Sequence, residues 1–334
     1  MNPLLIVLFI CFCFVSVKSQ KLEVMAIPDE YFIYVNKADS FFKIKNYKKS
    51  AEYYSKAFVS CNNIGFPKHK YRAARSWALG NNLDSAFYYL NQLAFEGEFA
   101  DYESLNLDTN FKILHDDKRW LKIINQVSIK KAVKEKKFIK PLADGLDSVY
   151  ETDQKYRSEI DEIAKKYGWG SKEIQAQWQI INHFDSINLI KIRGILDKYG
   201  WLGVDEIGGK GNMTLYLVIQ HSDLEIQEKY LPLMREAVKN GNAKSGQLAL
   251  LEDRVALRKG KRQIYGSQIG QNRTTNLYYV SPLENPENVD KRRAEVGLGS
   301  LADYVKKWKI VWDVNQYKID LPELEEMIKL EESK

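Results

Sequence analysis

Two segments of this chain carry small and aromatic residues at identical offsets. Ala38, Phe41, Tyr47, Ser50, Tyr54 and Ala57 are matched by Ala74, Trp77, Leu83, Ala86, Leu90 and Leu93, each 36 residues after its counterpart. Each set falls into two helical stripes with a turn signal between them, Asn46 in the first and Gly80, Asn81 and Asn82 in the second. A helix with one apolar stripe must bury it, and small residues let two such stripes approach closely while aromatics fill the space between. The spacing therefore predicts antiparallel helical hairpins and a mainly α chain.

The pattern resembles the tetratricopeptide repeat, whose period is about 34 residues, with a short insertion at Gly65, Phe66 and Pro67. Lys37 stands where that family prefers Leu, and Ser50 where it prefers Ala. A third, shortened unit is read from Leu105, Leu107, Phe111, Leu114, Trp120 and Leu121. So few repeats are marginal for an isolated solenoid, so this half is expected to lean on the C-terminal half. The resemblance implies a groove for an unidentified protein partner; a purely scaffolding role is the other reading.

The first residues read as a secretory signal peptide, 1–19, with an apolar run from Leu4 to Val15 and Val17 and Ser19 before the cut. The run is too short to span a bilayer. Export is the expectation, with the periplasm as destination and no membrane span. Removing the leader takes Cys11 and Cys13 with it and leaves Cys61 alone, without an intrachain disulfide, as a small core residue. The net charge of +6 comes from 50 basic and 44 acidic residues interleaved along the chain, a solvated surface more than a nucleic-acid groove. The expected organisation is repeats over 20–128, a basic linker over 129–141, a helical domain over 142–310 and a charged helix within 311–334.

In that helical domain, periodicity predicts helices over about Leu142–Lys166, Ser171–Tyr199, Asp223–Lys239 and Lys244–Arg258. Gly208, Gly209, Lys210 and Gly211 lack the spacing of a phosphate loop and are read as a flexible loop. Leu215 to Ile219 is apolar all round and delivers Gln220 and His221. Gln263 to Gln268 and Leu277 to Val280 are read as the strands of one short β-hairpin at about 262–281, with Gln263, Tyr265 and Ser267 on one strand face. On the helix before it, Arg254 projects into the apolar arc of Leu248, Leu251 and Val255, with Asp253 at the edge. A buried guanidinium needs oxygens for its donors, from Asp253, Asp290 or a ligand.

These residues are similar to a bacterial domain family without an assigned activity, the domain of unknown function 6624. The matching motifs are Gly200, Trp201 and Gly203; Gln220 and His221; Leu251, Asp253 and Arg254; Gln263, Tyr265, Gly266, Ser267 and Gln268; and Asp290, Arg292, Arg293, Gly297 and Leu298. The resemblance covers about 142–310 and brings no reaction with it. Three readings stand. In a ligand-binding module, Arg254, Arg292 and Arg293 hold an anion while Gln220, Gln263, Tyr265 and Gln268 read its polar edges. In a metal-independent hydrolase-like enzyme, His221 is the general base and Asp253 orients it. In a structural protein, the polar set is an internal network. No spacing of metal ligands is present, and no cofactor is expected.

Overall fold

A computed structural model describes residues 27–332 apart from 273 and 274; the expected signal peptide lies outside the described residues. The chain divides into two compact units, Met1–Lys131 and Ala132–Lys334. It is mainly α-helical, with one two-stranded antiparallel hairpin among the described residues. None of the described helices is long and apolar enough to cross a membrane.

The first unit begins with four helices, α1 (Asp29–Lys43), α2 (Tyr47–Ser60), α3 (Pro67–Leu79) and α4 (Leu83–Asn91), the last running into one wide turn over Gln92–Glu96. Consecutive members pack as antiparallel hairpins. The expected turn residues act through their side chains: Asn46 accepts from Lys49 N–H and Asn82 from Ser85 N–H, capping α2 and α4. Ala38, Ala51, Ala57, Ala74 and Ala86 are fully buried between the helices, and Tyr31, Tyr54, Phe58 and Phe87 fill the space they leave. Each such large side chain contributes ~1.5–3 kcal/mol when withdrawn from water. Ser50 is buried for a reason that periodicity does not reveal: its hydroxyl meets that of Ser76, 2.9 Å away on α3. Cys61 is buried in the same core. After α5 (Tyr102–Leu107) and a 3₁₀ segment, Thr109–Leu114, Phe111, Leu114 and Trp120 close the core. Trp120 belongs to α6 (Lys118–Glu135), within which the first unit ends.

In the second unit, α7 (Lys140–Ser158) and α9 (Lys172–Tyr199) flank α10 (Val204–His221), and α8 (Ile160–Tyr167) packs on α9. Gly168 and Gly200 close α8 and α9 at positive φ. The glycine-rich stretch is helical, which corrects the expected loop. Only Gly208 departs, at φ +74°, bending α10 one turn after its start. Gly211 lies inside the helix because a Cβ there would sit 3.2 Å from Leu146 Cδ1, so its lack of a side chain lets α7 and α10 close up. The run Leu215 to Ile219 forms the last turns of α10, and His221 is its final residue.

Next come α11 (Leu224–Lys239), capped by Asp223, and α12 (Ser245–Arg258), packed on it. The hairpin is β1 (Ile269–Gln271) against β2 (Tyr278–Val280), with Ile269 opposite Val280. Residues 263–268 are not a strand. Gly266 turns the backbone to φ +68°, and the N–H groups of Ile264, Tyr265 and Ser267 point at a side chain instead of a partner strand. The chain ends with α13 (Val289–Glu295), α14 (Leu301–Val305) and α15 (Val314–Glu332). Val280, Leu283, Val289, Leu301 and Val305 form the small core under the hairpin, with Trp312 and Tyr317 against it.

Candidate functional site

The polar residues of the second unit separate into two sets with opposite hydrogen-bond accounts. The first is complete within the protein. Asp253 is fully buried on α12; its Oδ1 accepts from the N–H of Ile264 (2.6 Å) and Tyr265 (2.9 Å), and its Oδ2 from that of Ser267 (2.9 Å). Burial pushes its carboxyl up, against the pull of those three donors. Gln263 donates to Gln268 O and Ser281 O and accepts from Gln268 N–H at 2.8 Å. The Gln268 side chain donates to Ser267 Oγ. Arg292 gives its donors to the carbonyls of Ile264, Glu284 and Asn285. Arg293, 2% exposed, donates to Gly299 O (2.6 Å) and Tyr265 O (2.7 Å) and lies over the Tyr304 ring.

These contacts place several expected ligand-binding residues in the wall of the fold. Asp253, Gln263, Gln268, Arg292 and Arg293 pin the 263–268 segment, whose backbone pairs with 281–284 only at Gln263 and Gln268 and leaves the groups between them to side-chain partners. Tyr265 takes part through its backbone. Asp253 does not orient His221, and neither it nor Asp290 pairs with Arg254, since Asp290 accepts from Leu301 N–H.

The second set is incomplete. Gln220, His221 and Arg254 come together: Arg254 Nη1 donates to Gln220 O at 3.1 Å, and His221 is the next residue. Among the described residues no carboxylate stands within salt-bridge distance of Arg254, and its Nε is buried without an acceptor. Burial pulls the guanidinium pKa below its ordinary value, and the like charges of Arg258 and Arg157 pull the same way. The Gln220 side chain is 5% exposed and makes no hydrogen bond among the described residues. Gln227, fully buried on α11, donates to Gln220 O at 2.9 Å and leaves its own Oε1 unpartnered.

The carboxylate that holds His221 is Asp153, a residue that no motif in the sequence singles out. Its Oδ1 lies 2.9 Å from His221 Nδ1 and its side chain is 1% exposed. Burial opposes its ionisation, but the hydrogen bond and charge of His221, with Arg157, outweigh it and hold the carboxyl below its ordinary value. Arg157 in turn donates to Asp153 O (2.9 Å) and grips Asp185 through two bonds, at 2.9 and 2.6 Å. A faint signal is present in the sequence. Asp153 follows Leu146 by seven residues and Val149 by four, on the stripe that α7 buries.

When the ring is neutral, an ionised Asp153 accepting at Nδ1 places the imidazole proton there and leaves the Nε2 lone pair available. The site therefore offers a guanidinium donor, an unengaged amide and an imidazole acceptor side by side. That set can hold an anion and take a proton from a neighbouring group.

No curated protein and no solved structure matches this chain. The family model described as "Family of unknown function (DUF6624)" matches residues 141–320, over half of the chain and all of both polar sets. The chain belongs to that family.

Proposed function

We propose that the second unit binds a small anionic ligand at Arg254, with Gln220 and His221 against it. The observation that carries this reading is the guanidinium left without a carboxylate, its Nε buried and unpartnered. A charged group buried unpaired is costly, and such arrangements persist where a ligand completes them. Calorimetric titration of the full chain with inorganic phosphate and sulfate tests it. Binding by the wild type that is lost in Arg254→Met supports the reading; equal heats in both proteins refute it.

A second reading is favoured by the Asp153–His221 pair. His221 Nε2 takes a proton from a water that attacks a bound ester, Arg254 holds the oxygen that gains negative charge, and the proton passes on to the departing group. Hydrolysis of chromogenic carboxyl or phosphate esters, abolished in His221→Ala, distinguishes it from binding alone.

In the same proposal the first unit is tetratricopeptide-like and makes protein contacts. A cleft of about 340 Å³ supports this; it is lined by Asp39, Phe42, Lys43, Tyr54, Arg72 and Arg75. Arg72 pairs with Asp39 and Arg75 with Asp108, which leaves the Lys43 ammonium to attract an acidic side chain of a partner. Export to the periplasm by the leader completes the proposal, and signal cleavage in an expressing cell tests it.

A further inference from the structure

A bare anion would leave the Arg254 site half satisfied. It supplies acceptors, which answers the Arg254 Nε donor. It answers none of the acceptors nearby. Gln220 Oε1 and Gln227 Oε1 are both buried and partnerless. Gln227 cannot be flipped for relief, because its Nε2 is already spent on Gln220 O, which also receives Arg254 Nη1. In the neutral ring His221 Nε2 adds a third acceptor, since Asp153 holds the Nδ1 side. Each of these oxygens and the nitrogen needs an O–H or N–H from outside the protein.

The charge around the site decides what kind of donor that is. Arg254 feels Arg157 and Arg258, both like charges. Asp153, the carboxylate nearest His221, is committed to His221, Gln154 and Arg157. An ammonium group would enter beside two guanidiniums, with the nearby carboxylates Asp153 and Asp185 already engaged by Arg157, whereas a hydroxyl or an amide N–H would not be repelled. Resting on the anion-binding reading above, we infer that the ligand is an anion bearing neutral hydrogen-bond donors: a polyhydroxylated phosphate or carboxylate, of the sugar-phosphate or sugar-acid class. Its charged group pairs with Arg254, and its hydroxyls donate to Gln220, Gln227 and His221. A hydroxyl both donates and accepts, so the same group also serves Gln220 Nε2.

Titration of the full chain with inorganic phosphate, glycerol 3-phosphate and a hexose 6-phosphate, and with acetate and a hexuronate, tests the ligand class directly. The charged group stays fixed within each series while the hydroxyls increase. Affinity should rise about tenfold or more from the bare anion to the hydroxylated member of one series, the effect of one or two added hydrogen bonds. Gln220→Met and Gln227→Met should each shrink that gap. If bare anions bind as tightly as hydroxylated ones, the inference fails while the anion-binding reading stands. If no member of either series binds, both fail. The comparison among ligands uses the unmodified chain, so it holds even where a variant folds poorly.

Discussion

Asp253 and Arg254 are neighbours on α12, yet their removal should have opposite consequences. In Asp253→Ala, the N–H groups of Ile264, Tyr265 and Ser267 lose an acceptor they now reach at 2.6–2.9 Å. Bonds to a charged partner contribute ~1.5–3 kcal/mol each, and an orphaned buried donor costs ~1–3 kcal/mol. Relief from burying the carboxylate, which burial disfavours, offsets part of this. The net loss should be ~3–5 kcal/mol, as for breaking a buried charged pair. Arg254→Met loses one bond to Gln220 O but removes a partly buried guanidinium that has no carboxylate, so its effect should lie within ~1 kcal/mol of zero. The chain has two compact units, so a single unfolding curve would mix them. Native-state hydrogen exchange, read on peptides from residues 245–305, reports the relevant unit alone. If Asp253→Ala costs under ~1 kcal/mol, or Arg254→Met costs as much as Asp253→Ala, the division of the polar residues into wall and site is wrong.

His69 is buried against Tyr31 in the first unit, and burial, with Lys68 and Arg72, pulls its pKa from 6.5 down to about 4. The unfolded chain then binds the extra proton between those values, so stability is full above pH 6.5 and falls by up to ~3 kcal/mol as the pH drops to about 4. Exchange in peptides of residues 29–91 should show this slope in the wild type and a flatter one in His69→Gln; identical slopes would count against the assignment. Asp153 has the opposite ionisation with the same outcome: its lowered pKa gives stability that is present above about pH 4 and lost as pH falls through the folded value. Asp153→Asn should be less sensitive than the wild type to acid below that point in exchange of α7 and α10 peptides. Gly266→Ala meets both φ +68° and Leu301 Cδ1 at 3.0 Å, whereas Gly241→Ala meets φ +77° with open space. The first should cost clearly more than the ~1–2 kcal/mol of left-handed strain expected for the second, and equal losses in hydrogen exchange of peptides from residues 224–305 would remove the packing argument.

Local pattern carries the helices well. The stripes through Ala38 and Ala74, the caps at Asn46 and Asn82 and the terminators Gly168 and Gly200 are short-range chemistry, and they lie where periodicity puts them. The stretch 263–268 misleads because alternation alone cannot reveal where backbone N–H groups go. Its partner is a side chain on the preceding helix, not another strand. The glycines at 208–211 mislead for the reverse reason: they permit close helix packing, which composition reads as looseness. Gln220, His221 and Arg254 are legible as a group, but the carboxylate serving His221 is not, because every polar residue near Arg254 looks equally available until its donors are counted.

The sequence separations of these contacts also set an order of assembly. Asp253 closes loops of only 11 to 14 residues onto Ile264, Tyr265 and Ser267, and Gln263 reaches Gln268 across five. Closures this short cost little chain entropy and can form as soon as α12 exists. His221 and Asp153 are 68 residues apart and meet only after α7 and α10 have docked. The wall is thus a local event and the dyad a late one. A probe that reads the His221 imidazole against Asp153 would therefore mark the point at which this unit has finished folding.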